Sequence, residues 1–311
     1  MPAASVHRIF AEDVKKKLDK EVINNLPSFD DYLTGWQGHD VLIYPYFKEI
    51  YRIKTNAKIA STIQKNGFTK FVYTYLKLAK EHNMLIDEQV RLILYGYIGH
   101  HMLDAYEHPL IEYLSDISED KSTWNHGNIE AYLDAYMLKT KRNISMYKYT
   151  MEADYKFNVN INPKTITLLN TAFYRVYNIH DVGRRYAKGL SQFHVFLRLF
   201  RYDPKGRKKK LYMFLEKNIS FMKGVKSFSN YVSAKRALPY MNIEHQVWHN
   251  VEDKLKISDK SFLDLYNEAL DKTVSLINKL DEIIESGDVN ETEIADLIPN
   301  ISSSSGLLVC R

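Results

Sequence analysis

Apolar positions recur at three- and four-residue spacing along most of this chain, which is the period of an amphipathic helix. The first such stretch runs from His7 to Val22 and sets Ile9, Phe10, Val14, Leu18 and Val22 on one side. The same period predicts helices over 47–64, 68–82, 87–108, 126–141, 165–200, 208–225 and 262–285. Pro109 should stop the helix over 87–108, because a proline disfavours the α conformation in the residue before it. Asn24 to Asp31, Ser115 to Asn125 and Asn158 to Pro163 are polar breaks, and Asp203-Pro-Lys-Gly206 marks a turn. No segment alternates convincingly with period two, and no repeat of solenoid length is present. The pattern predicts an all-α fold: one compact multi-helix bundle over 1–300. The Ser302-Ser-Ser-Ser-Gly306 run is low in complexity, so 301–311 is expected to be a disordered tail.

Composition sharpens this in three respects. Only 12 glycines and 8 prolines occur in 311 residues, too little turn chemistry for a chain of many short strands. Lys and Arg number 43 against 38 Asp and Glu, a formal charge of +5 that mildly favours anionic partners without choosing among them. The one cysteine, Cys310, is penultimate, so no intramolecular disulfide can form, and a reducing, cytoplasmic setting is expected. The first residues, Met1-Pro-Ala-Ala-Ser-Val-His-Arg8, lack an apolar core of secretory length, so an unexported protein is expected, and no run of about 18 uncharged apolar residues is present to span a bilayer.

Chemistry concentrates in Gly96-Tyr-Ile-Gly-His100-His101-Met-Leu-Asp104-Ala-Tyr-Glu-His108-Pro109, three imidazoles with the Asp104 carboxylate among them. Residues three or four apart share a helix face, so either His100 or His101 could meet Asp104 and His108. His126 and Glu130 repeat the four-residue step on the next helix. Alone they would pass for a surface pair worth a few tenths of a kcal/mol. Imidazole and carboxylate are ligands that zinc accepts, and with no usable thiolate any site is of the His/Asp/Glu kind. The loop Leu33-Thr-Gly-Trp-Gln-Gly-His-Asp40 holds two glycines and presents His39 and Asp40, while His7 stands on the first helix. Both segments are candidates to complete a cluster of more than one ion, which would clamp the attacking and leaving oxygens of a phosphoester.

Taken in order, His7-Arg-Ile-Phe-Ala, Gly35-Trp-Gln-Gly-His-Asp40, His100-x-x-x-Asp104-x-x-x-His108-Pro109 and His126-x-x-x-Glu130 resemble the zinc-dependent phospholipase C family of bacteria. The resemblance spans about the first 140 residues. It implies an all-α, three-zinc phosphodiesterase fold, shared with single-strand-specific zinc nucleases. On it, His7 is a ligand from the first helix, and Asp40 is the loop carboxylate and base for the attacking water. His100 and Asp104 then hold the paired metals, with Asp104 bridging, while His108, His126 and Glu130 hold the remaining zinc. It favours His100 over His101, which becomes a packing or supporting histidine.

Two departures stand out. Gln64 occupies the place of an expected histidine, for which His39 could substitute, and six residues precede His7 where the family uses a free amino terminus. The expected function is therefore phospholipase C-like hydrolysis of a phosphodiester, phospholipid or nucleotide-like, with two or three zinc ions. The alternatives are a degenerate relative that holds one zinc and serves as a binding protein, and a single-strand nuclease. Nucleic acid is compatible with the Lys205–Lys210 basic run but not favoured, since a solvated helix start explains that run better. Tyr44-Pro-Tyr46-Phe47 could wall a cleft or pack a helix entry.

Overall fold

A computed structural model describes residues 4–26, 28–42, 53–118, 125–145, 149, 154–155, 160–199, 203, 206–219 and 234–309. Among them are twelve α-helices and one two-residue antiparallel strand pair, Trp248–His249 with Ile257–Ser258, so the fold is all-α. The helices are α1 (Ala4–Lys17), α2 (Lys20–Asn24), α3 (Phe29–Tyr32), α4 (Ile53–Lys65), α5 (Phe68–Glu81) and α6 (Glu88–Ile117), followed by α7 (Asn125–Arg142), α8 (Pro163–Tyr177), α9 (Val182–Leu199), α10 (Arg207–Asn218), α11 (Phe262–Ser286) and α12 (Glu291–Leu297). Among the described residues, no helix is long and apolar enough to cross a membrane.

The chain divides into two compact units, each assembled from separated segments. The first comprises Met1–Ile9, Glu107–Tyr155 and His194–Tyr266; the second comprises Phe10–Tyr106, Lys156–Phe193 and Asn267–Arg311. In the first, the Tyr132 and Tyr240 rings stack at 5.5 Å, and Met137, Leu138, Tyr155 and Phe262 are buried. Arg8 and Arg142 both pair with Asp154, at 3.1 and 2.5 Å. In the second, Trp36, Tyr75, Phe68, Phe71 and Phe173 fill the core. The buried apolar positions of α5 are Phe68, Phe71, Val72, Tyr75, Leu76, Leu78 and Ala79, the stripe that its three- and four-residue period predicts.

Several boundaries differ from the sequence expectation. The first helix stops at Lys17, and Asp19 in extended conformation opens α2. The stretch 165–200 is two helices. Asn162 begins α8 by accepting the Thr165 N–H at 2.8 Å, and Asn178 ends it at φ 55°, a left-handed turn that asparagine tolerates. Pro109 does not terminate α6, which runs through it to Ile117. A proline inside a helix costs about 3 kcal/mol. Burial of Leu110 and Ile111 immediately after it, each worth about 1.5–3 kcal/mol, outweighs that cost. The Tyr44–Phe47 stretch, residues 219–225 beyond Ile219 and Cys310 lie outside the described residues.

The expectation of a disordered tail is corrected over 301–309. Ile301, Ser302, Ser303 and Ser305 are buried, and Ile301 forms a β-bridge with Leu308. Ser302 Oγ accepts the backbone N–H groups of Ser304 and Ser305 at 3.2 and 3.3 Å, and the Ser303 N–H donates to the Gln64 carbonyl at 2.9 Å. Serine hydroxyls satisfy neighbouring backbone in this way, so a run of them can build a turn rather than a floppy end.

Candidate metal centre

In the second unit the glycine loop is seated by close backbone approach. It forms two 3-10 turns, Leu33–Gly35 and Gly38–Leu42. A Cβ on Gly96 of α6 would lie 2.3 Å from the Gly35 carbonyl carbon, and one on Gly99 would lie 2.2 Å from the Trp36 ring. Trp36 is fully buried against Phe10 and Tyr32, with ring centroids 6.0 and 5.3 Å away. From the other side, Gly189 of α9 lets the Val41 carbonyl approach to within 2.2 Å of where its Cβ would be. Gly38 has φ +46°, and its own Cβ would meet the His100 ring at 2.1 Å. Glycine is required there both for its left-handed backbone and for the missing side chain.

That seating brings His39 and Asp40 to His100. The three offer ligand atoms within 4.8 Å of one another. The His39 and His100 rings meet edge-on at 4.9 Å, and His39 Nε2 is 3.6 Å from Asp40 Oδ1. One turn further along α6, Asp104 Oδ2 lies 3.2 Å from His100 Nε2. His39, His100 and Asp104 are buried, and Asp40 is half-buried.

The first unit holds a second group. His108 from α6 and His126 and Glu130 from α7 offer ligand atoms within 4.8 Å of one another. Glu130 Oε1 is 3.1 Å from His126 Nε2 and 3.7 Å from His108 Nε2, while His126 Nδ1 is 3.0 Å from Glu112 Oε1. Burial alone would lower the proton affinity of His126, but the Glu130 and Glu112 carboxylates raise its pKa to about 10. Burial pushes the Glu130 carboxyl up, yet the positive charge around it, His126 included, holds it well below the usual carboxylate range. Contact with His126 likewise lowers Glu112.

The remaining expected residues are placed as follows. His7 is buried on α1 in the first unit, where it lowers the proton affinity of Asp134 on α7. His101 stacks on Phe68, with centroids 3.6 Å apart, and its Nε2–H donates to the Ile301 carbonyl at 2.9 Å. Gln64 is half-buried on α4 and belongs to neither group; its backbone carbonyl receives Ser303. Glu112, which the sequence expectation did not include, is a further carboxylate at the first-unit group among the described residues. Its signal, a four-residue step from His108, fell beyond the helix stop assigned to Pro109.

Both groups are made of imidazole and carboxylate alone. A divalent ion with bonds of about 2.0–2.2 Å gathers such ligand atoms to about 3–4 Å of one another, so a small contraction of either group would hold a metal ion. No protein-family model, no curated protein and no solved structure matches this chain.

Proposed function

We propose that this protein is a zinc-dependent phosphoesterase that hydrolyses a phosphodiester by a metal-activated water, in the manner of phospholipase C. The observation that carries the reading is the pair of largely buried His/carboxylate groups, each drawing donors from separate segments to within 4.8 Å. The order of the same residues along the chain supports it, since that order resembles the zinc-dependent phospholipase C family. The donor set fits zinc: imidazole and carboxylate, with no thiolate, and an ion on His126 would displace its second proton. Bound zinc would polarise a phosphoryl oxygen and lower the pKa of water to near neutrality.

The chain's own residues supply the rest. His39, Asp40 and His100 would hold one ion and His108, His126 and Glu130 another, with Asp104 beside His100 as a further carboxylate donor. His7 keeps the role that the resemblance implies, a ligand from the first helix. Asp40 is the base, because it is the half-buried carboxylate of its group and can pass a proton from its carboxylate oxygen to solvent. His39 takes the part that Gln64 cannot, an amide being a poor ligand beside imidazole. The lone Cys310 accords with a reducing, cytoplasmic setting.

Elemental mass spectrometry of protein purified without added metal or chelator tests the reading, alongside Asp104→Ala and hydrolysis of bis(4-nitrophenyl) phosphate. Two or more zinc per chain, with metal lost in Asp104→Ala and hydrolysis lost in Asp40→Asn, is the expected result. One zinc without hydrolysis would make the chain a binding protein, and no zinc after loading would end the metal reading altogether.

A further inference from the structure

We propose that Glu112 positions His126 for metal binding: its carboxylate accepts a hydrogen bond from Nδ1–H, which keeps the proton on that nitrogen and commits the Nε2 lone pair to the ion. The inference rests on the metal reading of the His108/His126/Glu130 group and adds to it a residue outside the ligand set. Because α6 continues past Pro109, Glu112 sits four residues after His108, on the same face of the helix. His126 lies between two carboxylates from different helices: Nε2 is hydrogen-bonded to Glu130 Oε1 at 3.1 Å, and Nδ1 is in ion-pair contact with Glu112 Oε1 at 3.0 Å, a contact that metal binding at Nε2 would turn into the donated bond. A neutral imidazole carries one proton and one lone pair, so the nitrogen that donates to a carboxylate fixes which nitrogen is left to bind metal. Glu130 is buried and within 3.7 Å of His108 Nε2, which marks its side of the ring as the metal side. The Glu112 side chain is 48% exposed, which suits an outer carboxylate that orients a ligand and suits a buried ligand poorly. An acceptor in that position holds the ring in place and strengthens its remaining nitrogen as a donor, and removing such a partner commonly costs 10–100-fold in metal affinity.

The test compares wild type, Glu112→Ala, Glu112→Gln, His108→Ala and Glu130→Ala in zinc affinity, measured by competition with a chromogenic chelator. Long-range proton–nitrogen spectra of histidine-labelled protein report the His126 tautomer in the zinc-loaded state. Glu112→Ala is expected to weaken zinc at this group by about 10–100-fold and to scramble the His126 tautomer, while metal-free protein melts as wild type does. Glu112→Gln, whose amide oxygen still accepts from Nδ1–H, should recover most of the loss. X-ray absorption should show the same number of oxygen ligands in Glu112→Ala as in wild type. Affinity within about twofold of wild type in Glu112→Ala, an unchanged tautomer, or loss of an oxygen ligand would overturn the positioning role. If zinc binding is also indifferent to His108→Ala and Glu130→Ala, the metal reading of this group has failed, an outcome distinct from failure at Glu112 alone.

Discussion

Replacing Gly96 by alanine should destabilise the protein and loosen one metal group while sparing the other. The new Cβ would lie 2.3, 2.5 and 2.6 Å from the Gly35 carbonyl carbon, the Gly35 Cα and the Trp36 nitrogen, all of them backbone atoms. Ordinary carbon contacts begin near 3.5 Å, so the 3-10 turn must retreat by about 1 Å. Alanine in a helix interior returns about 1 kcal/mol relative to glycine. Overpacking costs about 1–3 kcal/mol, and with no flexible side-chain end to yield, the upper part of that range applies. The net expectation is a loss of about 1–2 kcal/mol, read from urea unfolding of the metal-free protein. The same retreat pulls Gly38, His39 and Asp40 off the His100 ring. Metal affinity at that group should therefore fall about tenfold or more, with the His108/His126/Glu130 group unmoved. A variant as stable as wild type or better, with unchanged metal binding at both groups, would show that helix propensity outweighs the contact and that the glycines do not seat the loop.

Three further perturbations probe other parts of the fold. Burial pushes Asp134 up to about 8, although the Ser5 and Val6 N–H groups pull the other way. Its carboxyl thus favours folding fully below the unfolded value of about 3.9 and loses that contribution as pH rises toward 8, at on the order of 1 kcal/mol per pH unit. Asp134→Asn keeps an oxygen for Val6 and should flatten urea midpoints compared between pH 5 and 8, whereas an identical slope would contradict the assignment. Truncation after Asn300 removes the bonds from His101 to Ile301 and from Ser303 to Gln64, together with buried Ile301. A loss of about 3 kcal/mol by urea unfolding is expected, and a truncated chain as stable as the full one would mean that the turn contributes nothing. Tyr95→Phe takes the hydroxyl from buried Asp281, which also faces Arg91 at 3.4 Å, and should cost about 1.5–3 kcal/mol in the same assay; a change under about 0.5 kcal/mol would show that Arg91 alone satisfies the carboxylate.

The helical period was legible because apolar side chains such as Phe71, Tyr75 and Leu78 must fall on one side of α5 to be buried at all. The His100–Asp104 and His126–Glu130 pairs were legible for a related reason: a four-residue step brings side chains together on any helix, whatever the tertiary fold. Long-range meetings carry no such period. Nothing in the spacing of His39 and His100 announces that two rings 61 positions apart approach at 4.9 Å; the glycines Gly38, Gly96 and Gly99 were visible, but their mutual fit was not. Pro109 misled because its local cost is certain while the compensating burial of Leu110 and Ile111 is tertiary, and that error also hid Glu112. The serine run misled because composition records polarity and misses that Ser302 bonds its own neighbours. The split between α8 and α9 turned on Asn178 and Asp181 entering the left-handed region, a choice that a sequence permits without requiring.

The bond from His101 to Ile301 spans 200 positions, and its consequence is one of timing. A ribosome adding about 5–20 residues per second completes α6 roughly 10–40 s before Ile301 is made. For that interval His101 Nε2 and the Gln64 carbonyl await Ile301 and Ser303, which bond them in the finished fold, and the apolar surface that later receives the turn is uncovered. Final closure of the second unit therefore waits until Ile301 and Ser303 have been made. A nascent chain stalled before Asn300 is the species that a chaperone or a protease would meet.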